Sequence, residues 1–346
     1  MTQKDRDTLV KLLKQHHDLG IARQIDFQKF YLYSIIAHST AIEGSTVTEV
    51  EAQLLFDEGI GAKKPMIEQL MNLDLKAAYE YGLEWMKQHA PITVEWLIML
   101  AAKVMAHTGS EYNTMAGSFS AAKGELRKLN VSAGPGGPSH LSFQKVPARL
   151  AAFCQELNKR RNNIDVTNIA AVYELSFWAH YELVTIHPWA DGNGRTSRLL
   201  MNLLQMEHGV LPVKVLKEDK AEYIKALTDS RDMEDMEPFI NCMTRLHIKH
   251  LRHDIDLYLK TTGEEMVDKQ AMRDEFARKW SIKPSLADKL VDILLFMADK
   301  DITTTEAVVR HFGFTATTAK RHLRRLTELG YLQAQGGNKN RSYRKV

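Results

Sequence analysis

The sequence predicts a mainly α-helical protein with a small mixed α+β module at its C-terminal end. Apolar residues recur at the three- and four-residue spacing of amphipathic helices through most of the 346 residues. Only two segments, 129–143 and 331–345, look extended, and each surrounds a turn rich in glycine. Basic residues are concentrated from position 285 onward, where 11 lysines and arginines stand against 6 acidic residues.

The composition is typical of a soluble globular protein, with 44% hydrophobic and 26% charged residues. With a net charge of +3, the chain as a whole is not a polycation. The two cysteines, Cys154 and Cys242, are too few for a disulfide framework or a zinc site and suit a reducing compartment. The first residues are charged where a signal peptide is apolar, and the longest apolar stretch is too short to span a bilayer. We therefore expect a cytoplasmic protein without a membrane segment, either a monomer or a homo-oligomer.

Helix signals define most elements before residue 260. Thr48 and Glu51 predict a capping box at a helix start, and Gly44 can end the preceding helix. The helices are expected at 22–42, 48–59, 66–88, 93–108, 146–160, 167–184, 195–208, 219–229 and 236–259. Segment 129–143 predicts a short hairpin that turns in its glycine- and proline-rich centre, and a plain connecting loop is the alternative.

A change of pattern after residue 260 indicates a domain boundary. Short helices are expected there at 285–299, 303–311 and 315–329, followed by a hairpin that turns near Gly336. This order is typical of a winged helix-turn-helix with 315–329 as the recognition helix. The predicted parts are an N-terminal helical region over 1–92, a core over 93–260, a linker over 261–284 and the module over 285–346.

The most informative stretch is 187–198, which reads HPWADGNGRTSR. Pro188 pushes the residue before it out of the helical region and so ends a helix. Glycines on both sides of Asn193 let the backbone curl, so that successive N–H groups can face one anion-binding concavity. A helix that starts near Arg195 would add unpaired N–H groups and the positive end of its dipole.

The charged side chains of this stretch suit a metal-bound polyphosphate. Arg195 and Arg198 share one helix face and can each bind a phosphate through two bonds. Asp191 offers an oxygen ligand of the kind that Mg²⁺ prefers, and a neutral His187 can accept a proton. Each residue alone has an ordinary structural explanation, but the set together indicates nucleotidyl or phosphoryl transfer.

The stretch resembles the signature H-x-F-x-D/E-G-N-G-R-x-x-R of the Fic family, with Trp189 where phenylalanine is usual. The resemblance extends over about residues 20–245. It implies an all-helical core that transfers AMP from the substrate ATP to a Ser, Thr or Tyr hydroxyl of a target protein and releases pyrophosphate. The roles that it implies are general base for His187, Mg²⁺ ligand for Asp191, binding of the inner phosphates for Gly192, Asn193 and Gly194, and binding of the outer phosphates for Arg195 and Arg198.

Two further features extend the resemblance. Segment 129–143 is similar to the flap of the family, which would dock a target segment by strand addition. A related branch of kinases carries lysine at the position of Gly194, so the glycine favours transfer of AMP over transfer of phosphate.

Residues 39–44, STAIEG, resemble the inhibitory motif S/T-x-x-x-E-G/N of the same family. Ser39 and Glu43 lie one helical turn apart, and Gly44 completes the motif. The helix dipole disfavours a carboxylate at the C-terminal end of a helix, and a cation beside the carboxylate offsets this effect. The resemblance implies Arg198 as that cation, which would withdraw it from the γ-phosphate. An ordinary surface glutamate is the alternative.

The C-terminal module has its own candidate partner. The predicted recognition helix carries Lys320, Arg321, Arg324 and Arg325, which suit the phosphates of duplex DNA. The same fold also serves protein contacts. Two alternatives to a self-inhibited AMP transferase therefore stay open, namely a DNA-binding regulator that only senses ATP and an enzyme that removes AMP from a modified target.

Overall fold

The chain divides into two units, Met1–Ile255 and Asp256–Val346. The computed structural model describes residues 1–24, 26–132, 137, 139–297, 302–337 and 341–345. Helices dominate both units, which confirms the mainly α prediction. Within these ranges, no helix combines the length and the apolar character needed to cross a bilayer.

The elements follow the predicted order closely. Those of the first unit are α1 (Gln3–Asp18), α2 (Phe27–Ile42), α3 (Glu49–Glu58), α4 (Met66–Met86), α5 (Val94–Val104), β1 (Glu111–Thr114), β2 (Gly117–Ser120), α6 (Val146–Asn163), α7 (Ile169–Ile186), α8 (Asn193–Glu207) and α9 (Lys220–Asp232). The elements that follow are α10 (Glu237–Trp280), α11 (Pro284–Phe296), β3 (Ile302–Thr304), α12 (Thr305–Phe312), α13 (Ala316–Glu328), β4 (Leu332–Gln335) and β5 (Ser342–Lys345).

Helix α8 is the central element of the first unit because two apolar cores lie against it. Leu199 and Leu203 belong to a core shared with α4, α5, α6 and α7. Met201 points into a second core with Tyr173 of α7 and residues of α9 and α10. A Cβ atom at Gly82 would lie 2.4 Å from a methyl carbon of Leu203, so glycine lets α4 pack closely on α8. The start of α8, which carries the 187–198 stretch, is therefore held on a rigid support.

The helix ends follow the predicted chemistry. Thr48 accepts a bond from the N–H of Glu51, and the Glu51 carboxylate accepts one from the N–H of Thr48, which confirms the capping box of α3. Gly44 follows α2 with a φ of +107°, a conformation that favours glycine. This ending places Glu43 at the C-terminal end of α2.

The first unit contains a hairpin that the sequence analysis missed. Strands β1 and β2 pair antiparallel, and Tyr112 stacks on its cross-strand partner Phe119 with ring centroids 4.9 Å apart. The expectation that 129–143 is the only extended segment of this part is therefore wrong. Strands of four residues escape periodicity arguments because they contain only two positions per face.

The predicted flap over 129–143 lies partly outside the described residues, since 133–136 and 138 are not among them. The parts on either side are paired: Ser132 and Ser139 form an isolated antiparallel bridge, and the His140 N–H donates to the Val131 carbonyl at 2.9 Å. The two arms of the segment thus run side by side, as a hairpin requires.

The structure differs from the predicted linker over 261–284, because α10 continues to Trp280 and α11 begins at Pro284. The contact boundary falls after Ile255, earlier than predicted. A single Gly263 costs a helix about 1 kcal/mol relative to alanine, which is too little to end it among good helix formers. Composition alone therefore placed the boundary incorrectly.

The second unit has a three-stranded antiparallel sheet in which β5 lies between β3 and β4. Helices α11, α12 and α13 contribute Leu290, Val308 and Leu323 to one apolar core, to which β5 adds Tyr343. Leu332 pairs with Lys345, so the hairpin predicted over 331–345 is present. Part of its predicted turn, residues 338–340, lies outside the described residues.

Candidate active site

The 187–198 stretch forms the bend between α7 and α8. His187 ends α7 in the left-handed conformation, with a φ of +52°, and its N–H donates to the Leu183 carbonyl at 3.1 Å. Gly192 precedes α8 with a φ of +82°. A Cβ atom at Gly192 would lie 2.7 Å from the sulfur of Met105, so a larger residue would have to displace the Met105 side chain.

Trp189 and Asn193 brace the bend from inside. Trp189 is buried, and its indole Nε1 donates to the Gly124 carbonyl at 2.9 Å. The Asn193 side chain accepts from the Trp189 N–H at 3.1 Å and donates to the Trp189 carbonyl at 2.9 Å. The amide of Asn193 thus maintains the fold of the loop, and its assignment to the inner phosphates stays a prediction. Its backbone N–H stays available.

His187 has the protonation state that a general base needs. Its Nδ1 lies 3.3 Å from the Val184 carbonyl, which can only accept, so the proton of the neutral ring sits on Nδ1 and Nε2 keeps a free lone pair. Burial, reinforced by the neighbouring His140, lowers the pKa of His187 to about 3. The imidazole is therefore neutral at physiological pH and can accept a proton at Nε2.

The N-terminus of α8 presents unpaired donors to the same region. The first main-chain bond of the helix runs from the Thr196 N–H to the Gly192 carbonyl at 2.9 Å. Among the described residues, the N–H groups of Asn193, Gly194 and Arg195 therefore have no main-chain acceptor. Donors of this kind at the positive end of a helix bind anions.

Arg195 is a buried cation whose hydrogen-bonding capacity is largely unused. Its residue is 2% exposed, and Nε and Nη1 find no acceptor in the described part of the chain. Nη2 lies 3.1 Å from the sulfur of Met105 and 3.3 Å from Asp191 Oδ1. A buried charge with unsatisfied donors is costly unless an anion completes it. Arg195 is thus a candidate anion-binding residue.

The carboxylate of Asp191 is suited to be a ligand of Mg²⁺. Its side chain is 58% exposed, although it lies beside the buried Arg195. In the described residues, no cluster of three or more metal-binding side chains exists. A metal at Asp191 would therefore take its other ligands from phosphate oxygens and water, as Mg²⁺ commonly does.

The second signature arginine, Arg198, is bound by the end of α2. Its Nε donates to Ser39 Oγ at 2.9 Å, and Nη2 donates to the Ser39 carbonyl at 3.0 Å and to Glu43 Oε1 at 2.6 Å. Nη1 reaches the Tyr223 hydroxyl at 3.4 Å. The structure thus brings together the two motifs that the sequence analysis connected only through the resemblance.

The electrostatics of Glu43 agree with this pairing. Burial acts to raise the pKa of Glu43, but the charge and hydrogen bond of Arg198 outweigh it, so the pKa lies below its usual value. The side chain is still 33% exposed. A Cβ atom at Gly194 would lie 2.6 Å from Glu43 Oε1 and 3.0 Å from Arg198 Nη1. Glycine at 194 therefore leaves room for the ion pair.

Sequence reasoning missed two residues that contact His187. His140 stacks on the His187 ring with centroids 3.9 Å apart and planes at 21°. Arg127, far from the signature, donates from Nε to the His187 carbonyl at 2.7 Å. Neither position carries a local signal, because each contact joins segments more than 45 residues apart. Tyr223 is buried beside Arg198, and its hydroxyl lies 2.9 Å from His180 Nε2.

The basic residues predicted to contact DNA lie on one helix, α13. Lys320, Arg321 and Arg324 are exposed, whereas Arg325 is partly covered. Arg324 and Arg325 both form ion pairs with Glu328, at 3.0 and 3.3 Å. Leu323 on the opposite face is buried in the core of the unit.

Comparisons with known proteins agree with this geometry. The model of the Fic/DOC family matches residues 91–205. Protein adenylyltransferase Fic of Drosophila melanogaster is 30% identical over 256 residues, which cover 72% of this chain and 46% of the fly protein. The Drosophila grimshawi protein of the same name is 31% identical over 236 residues, or 66% of this chain and 43% of that protein. The chain thus spans about half the length of these curated relatives.

Solved structures agree at the level of the fold. Fic-1 of C. elegans superposes with a TM-score of 0.55 and 26% identity over 73% of each chain. A Fic family protein from Desulfovibrio desulfuricans superposes with a TM-score of 0.60 and 18% identity, over all of this chain and 97% of that one. The second match extends through both units. Through the domain that contains the bend at 187–198, the chain belongs to the Fic/DOC family.

Proposed function

We propose that the chain is a self-inhibited protein adenylyltransferase that transfers AMP from ATP to a hydroxyl group of a target protein. The observation that carries the proposal is the buried, unsatisfied guanidinium of Arg195. It lies at the start of α8, near unpaired N–H groups and one bend away from a neutral imidazole. Such an arrangement suits a phosphate anion beside a general base.

The reaction assigned to these residues is a displacement at phosphorus. The oxygen of the target hydroxyl attacks the α-phosphorus of ATP, and Nε2 of His187 takes the hydroxyl proton. The bond from the α-phosphorus to the bridging oxygen breaks, and pyrophosphate leaves with its electron pair. Asp191 would hold Mg²⁺, which neutralises phosphate charge when bound. The N–H groups of Asn193 and Gly194 and the side chain of Arg195 would hold the phosphates.

We assign the inhibition to the contact between Glu43 and Arg198. Ser39 and Glu43 occupy Nε and Nη2 of Arg198, so a γ-phosphate in the productive orientation would find only the Nη1 donors, which lie beside Tyr223. ATP that binds while the ion pair persists would leave its outer phosphate without this arginine. Gly44 would end α2 at the length that presents Glu43 to the pocket.

Segment 129–143 is the proposed docking site for the target. Its two arms run antiparallel, and one of them passes beside His187 through His140. A target segment that adds as a further strand would gain main-chain hydrogen bonds with little dependence on its sequence. Its hydroxyl group would then approach Nε2 of His187. The two buried free cysteines agree with the proposed cytoplasmic location.

Mass spectrometry of the purified chain after incubation with ATP and Mg²⁺ tests the activity. We expect an addition of the mass of AMP on the chain itself, increased in the Glu43→Gly variant and absent from His187→Ala. The His187→Ala variant should still bind ATP, because the imidazole is assigned to proton transfer alone. A chain that binds ATP but never gains AMP would support the ATP-sensing alternative. Loss of AMP from a modified protein would support the reverse reaction.

A second function, binding of duplex DNA, is favoured by the exposed face of α13. The order of helices, strand and final hairpin in the second unit is that expected of a winged helix-turn-helix. Lys320, Arg321 and Arg324 would contact phosphates. We expect retention on duplex DNA that weakens steeply with salt and is lost in a Lys320→Glu, Arg321→Glu variant. The control is Arg252→Glu, an exposed change on α10 that should leave retention intact.

A further inference from the structure

Arg127 is a buried arginine without an acidic partner. Its residue is 1% exposed, and among the described residues it forms no ion pair with a carboxylate. Its hydrogen bonds go instead to main-chain carbonyl groups. Nε donates to His187 at 2.7 Å, Nη1 donates to Leu129 at 2.7 Å, and Nη2 donates to Leu141. A buried unpaired cation is expensive, so three convergent carbonyl groups indicate a specific structural purpose.

The three acceptors lie on the two arms of the 129–143 segment and at His187. Leu129 lies on the outgoing arm of the 129–143 segment, Leu141 lies on the returning arm, and His187 is the proposed general base. The backbone adds a fourth link, because the Arg127 N–H donates to the Pro188 carbonyl at 3.0 Å. One residue thus ties both arms of the docking segment to the main chain of the base.

The geometry of guanidinium suits this purpose and that of ammonium does not. A guanidinium presents donors in a fixed planar fork, so three carbonyl groups bound to it are fixed relative to one another. A lysine ammonium carries three donors on a single nitrogen at the end of a flexible chain, so it cannot reproduce the spread of the fork. The substitution Arg127→Lys therefore keeps the charge while loosening the coupling.

We infer that Arg127 is a positioning residue that sets the docking segment at a fixed distance from His187, so that a docked hydroxyl meets Nε2 of the imidazole. The inference rests on the proposed function for the identity of the reaction. The coupling itself is a property of the protein that can be measured without any activity.

The test is hydrogen exchange of the full chain together with NMR of its histidine side chains. In Arg127→Lys, we expect amide exchange to accelerate at least tenfold at His140, whose N–H is bound to Val131, with a shift of the His187 imidazole resonances. The affinity for ATP should stay within twofold. The matched control is Arg161→Lys, which changes a buried arginine bound to Glu207 and Ala90 and leaves the site untouched. Equal exchange at His140 in the two variants would overturn the inference.

A second variant separates coupling from simple loosening of the segment. Asn130 Oδ1 accepts from the Phe143 N–H at 3.0 Å and so joins the same two arms without contacting His187. Because His140 stacks on His187, Asn130→Ala should accelerate exchange at His140 and shift the His187 resonances, but by less than Arg127→Lys does. If Asn130→Ala shifts these resonances as much as Arg127→Lys does, the direct link through Arg127 is refuted.

Activity supplies a final, separate measurement. In the Glu43→Gly variant, adding Arg127→Lys should lower the rate of AMP addition at least tenfold while ATP binding is kept. An unchanged rate would overturn the positioning role. If Glu43→Gly itself gains no AMP, the proposed function fails, whereas the exchange and NMR results still decide the coupling.

Discussion

Arg198 and Glu43 form a hydrogen-bonded ion pair of 2.6 Å between segments 155 residues apart in the chain. Ser39 accepts two further bonds from the same guanidinium, one through its hydroxyl and one through its carbonyl. Because Nη1 lies 3.4 Å from the Tyr223 hydroxyl, each nitrogen of Arg198 has a partner. In the proposed function, this engagement withdraws Arg198 from the outer phosphate of ATP.

Replacing Glu43 should therefore release Arg198. We expect Glu43→Gly to increase self-modification at least tenfold, because an unpaired Arg198 can bind the γ-phosphate of ATP. Labelling with ATP that carries the label at the α-phosphate measures the effect. The control is Glu58→Gln, an exposed carboxylate at the end of α3. Equal labelling of wild type and Glu43→Gly would exclude the inhibitory role.

Replacing Arg195 should stabilise the fold and at the same time abolish the binding of ATP. Arg195→Met removes a buried, unsatisfied charge and keeps most of the side-chain volume, so we expect a stabilisation of roughly 1–3 kcal/mol. The same change should abolish the binding of ATP. Thermal unfolding with and without ATP measures both effects. By contrast, Arg161→Met removes the arginine partner of the buried Glu207, which keeps only contacts with His89 and His208, and should destabilise the fold by about 3–5 kcal/mol. A lower melting temperature for Arg195→Met would show that its charge is already compensated.

The rate of AMP addition should be insensitive to mild acid. A base with the ordinary histidine pKa of about 6.5 would be only about 3% neutral at pH 5. With burial and His140 lowering the pKa of His187 to about 3, the imidazole stays neutral there. Single-turnover labelling of Glu43→Gly between pH 8 and pH 5 measures the profile. A decline centred near pH 6.5, with the protein still folded by circular dichroism, would contradict the buried environment of His187.

The stability of the fold should nevertheless decrease with acid. Burial lowers the pKa of both His180 and His247 to about 3. Because the unfolded chain titrates near 6.5, it binds more protons than the folded chain below that pH, and stability is lost as the pH falls from 6.5 toward 3. Each histidine should account for about 2 kcal/mol by pH 5.

The variant His247→Gln tests this expectation, since glutamine can keep a hydrogen bond to the Tyr173 hydroxyl, 3.0 Å away. Its free energy of unfolding should depend less steeply on pH than that of the wild type. His253→Gln, a change at an exposed position of α10, serves as the matched control. Parallel pH curves for wild type and His247→Gln would mean that His247 is protonated in the folded protein.

The sequence was most informative where the candidate functional residues follow one another in the chain. The bend at 187–198 could be predicted because Pro188 and the glycines constrain the backbone locally. The ion pair of Glu43 with Arg198 needed the resemblance, because nothing local connects α2 with α8. The contacts of Arg127 could not be predicted from the sequence, since its hydrogen-bond partners are main-chain carbonyl groups, which every residue has. The β1–β2 hairpin was too short to show a period.

The amide of Asn193, bound at both ends to Trp189, has a consequence for the binding of nucleotide. A loop whose curvature is maintained by its own side chains does not wait for a ligand to acquire its shape. The conformational entropy of this turn is lost when the chain folds, so ATP need not order it on arrival. Product release would likewise leave the turn ready for the next molecule. Differences in affinity among variants should then reflect contacts to the phosphates and not a collapse of the pocket.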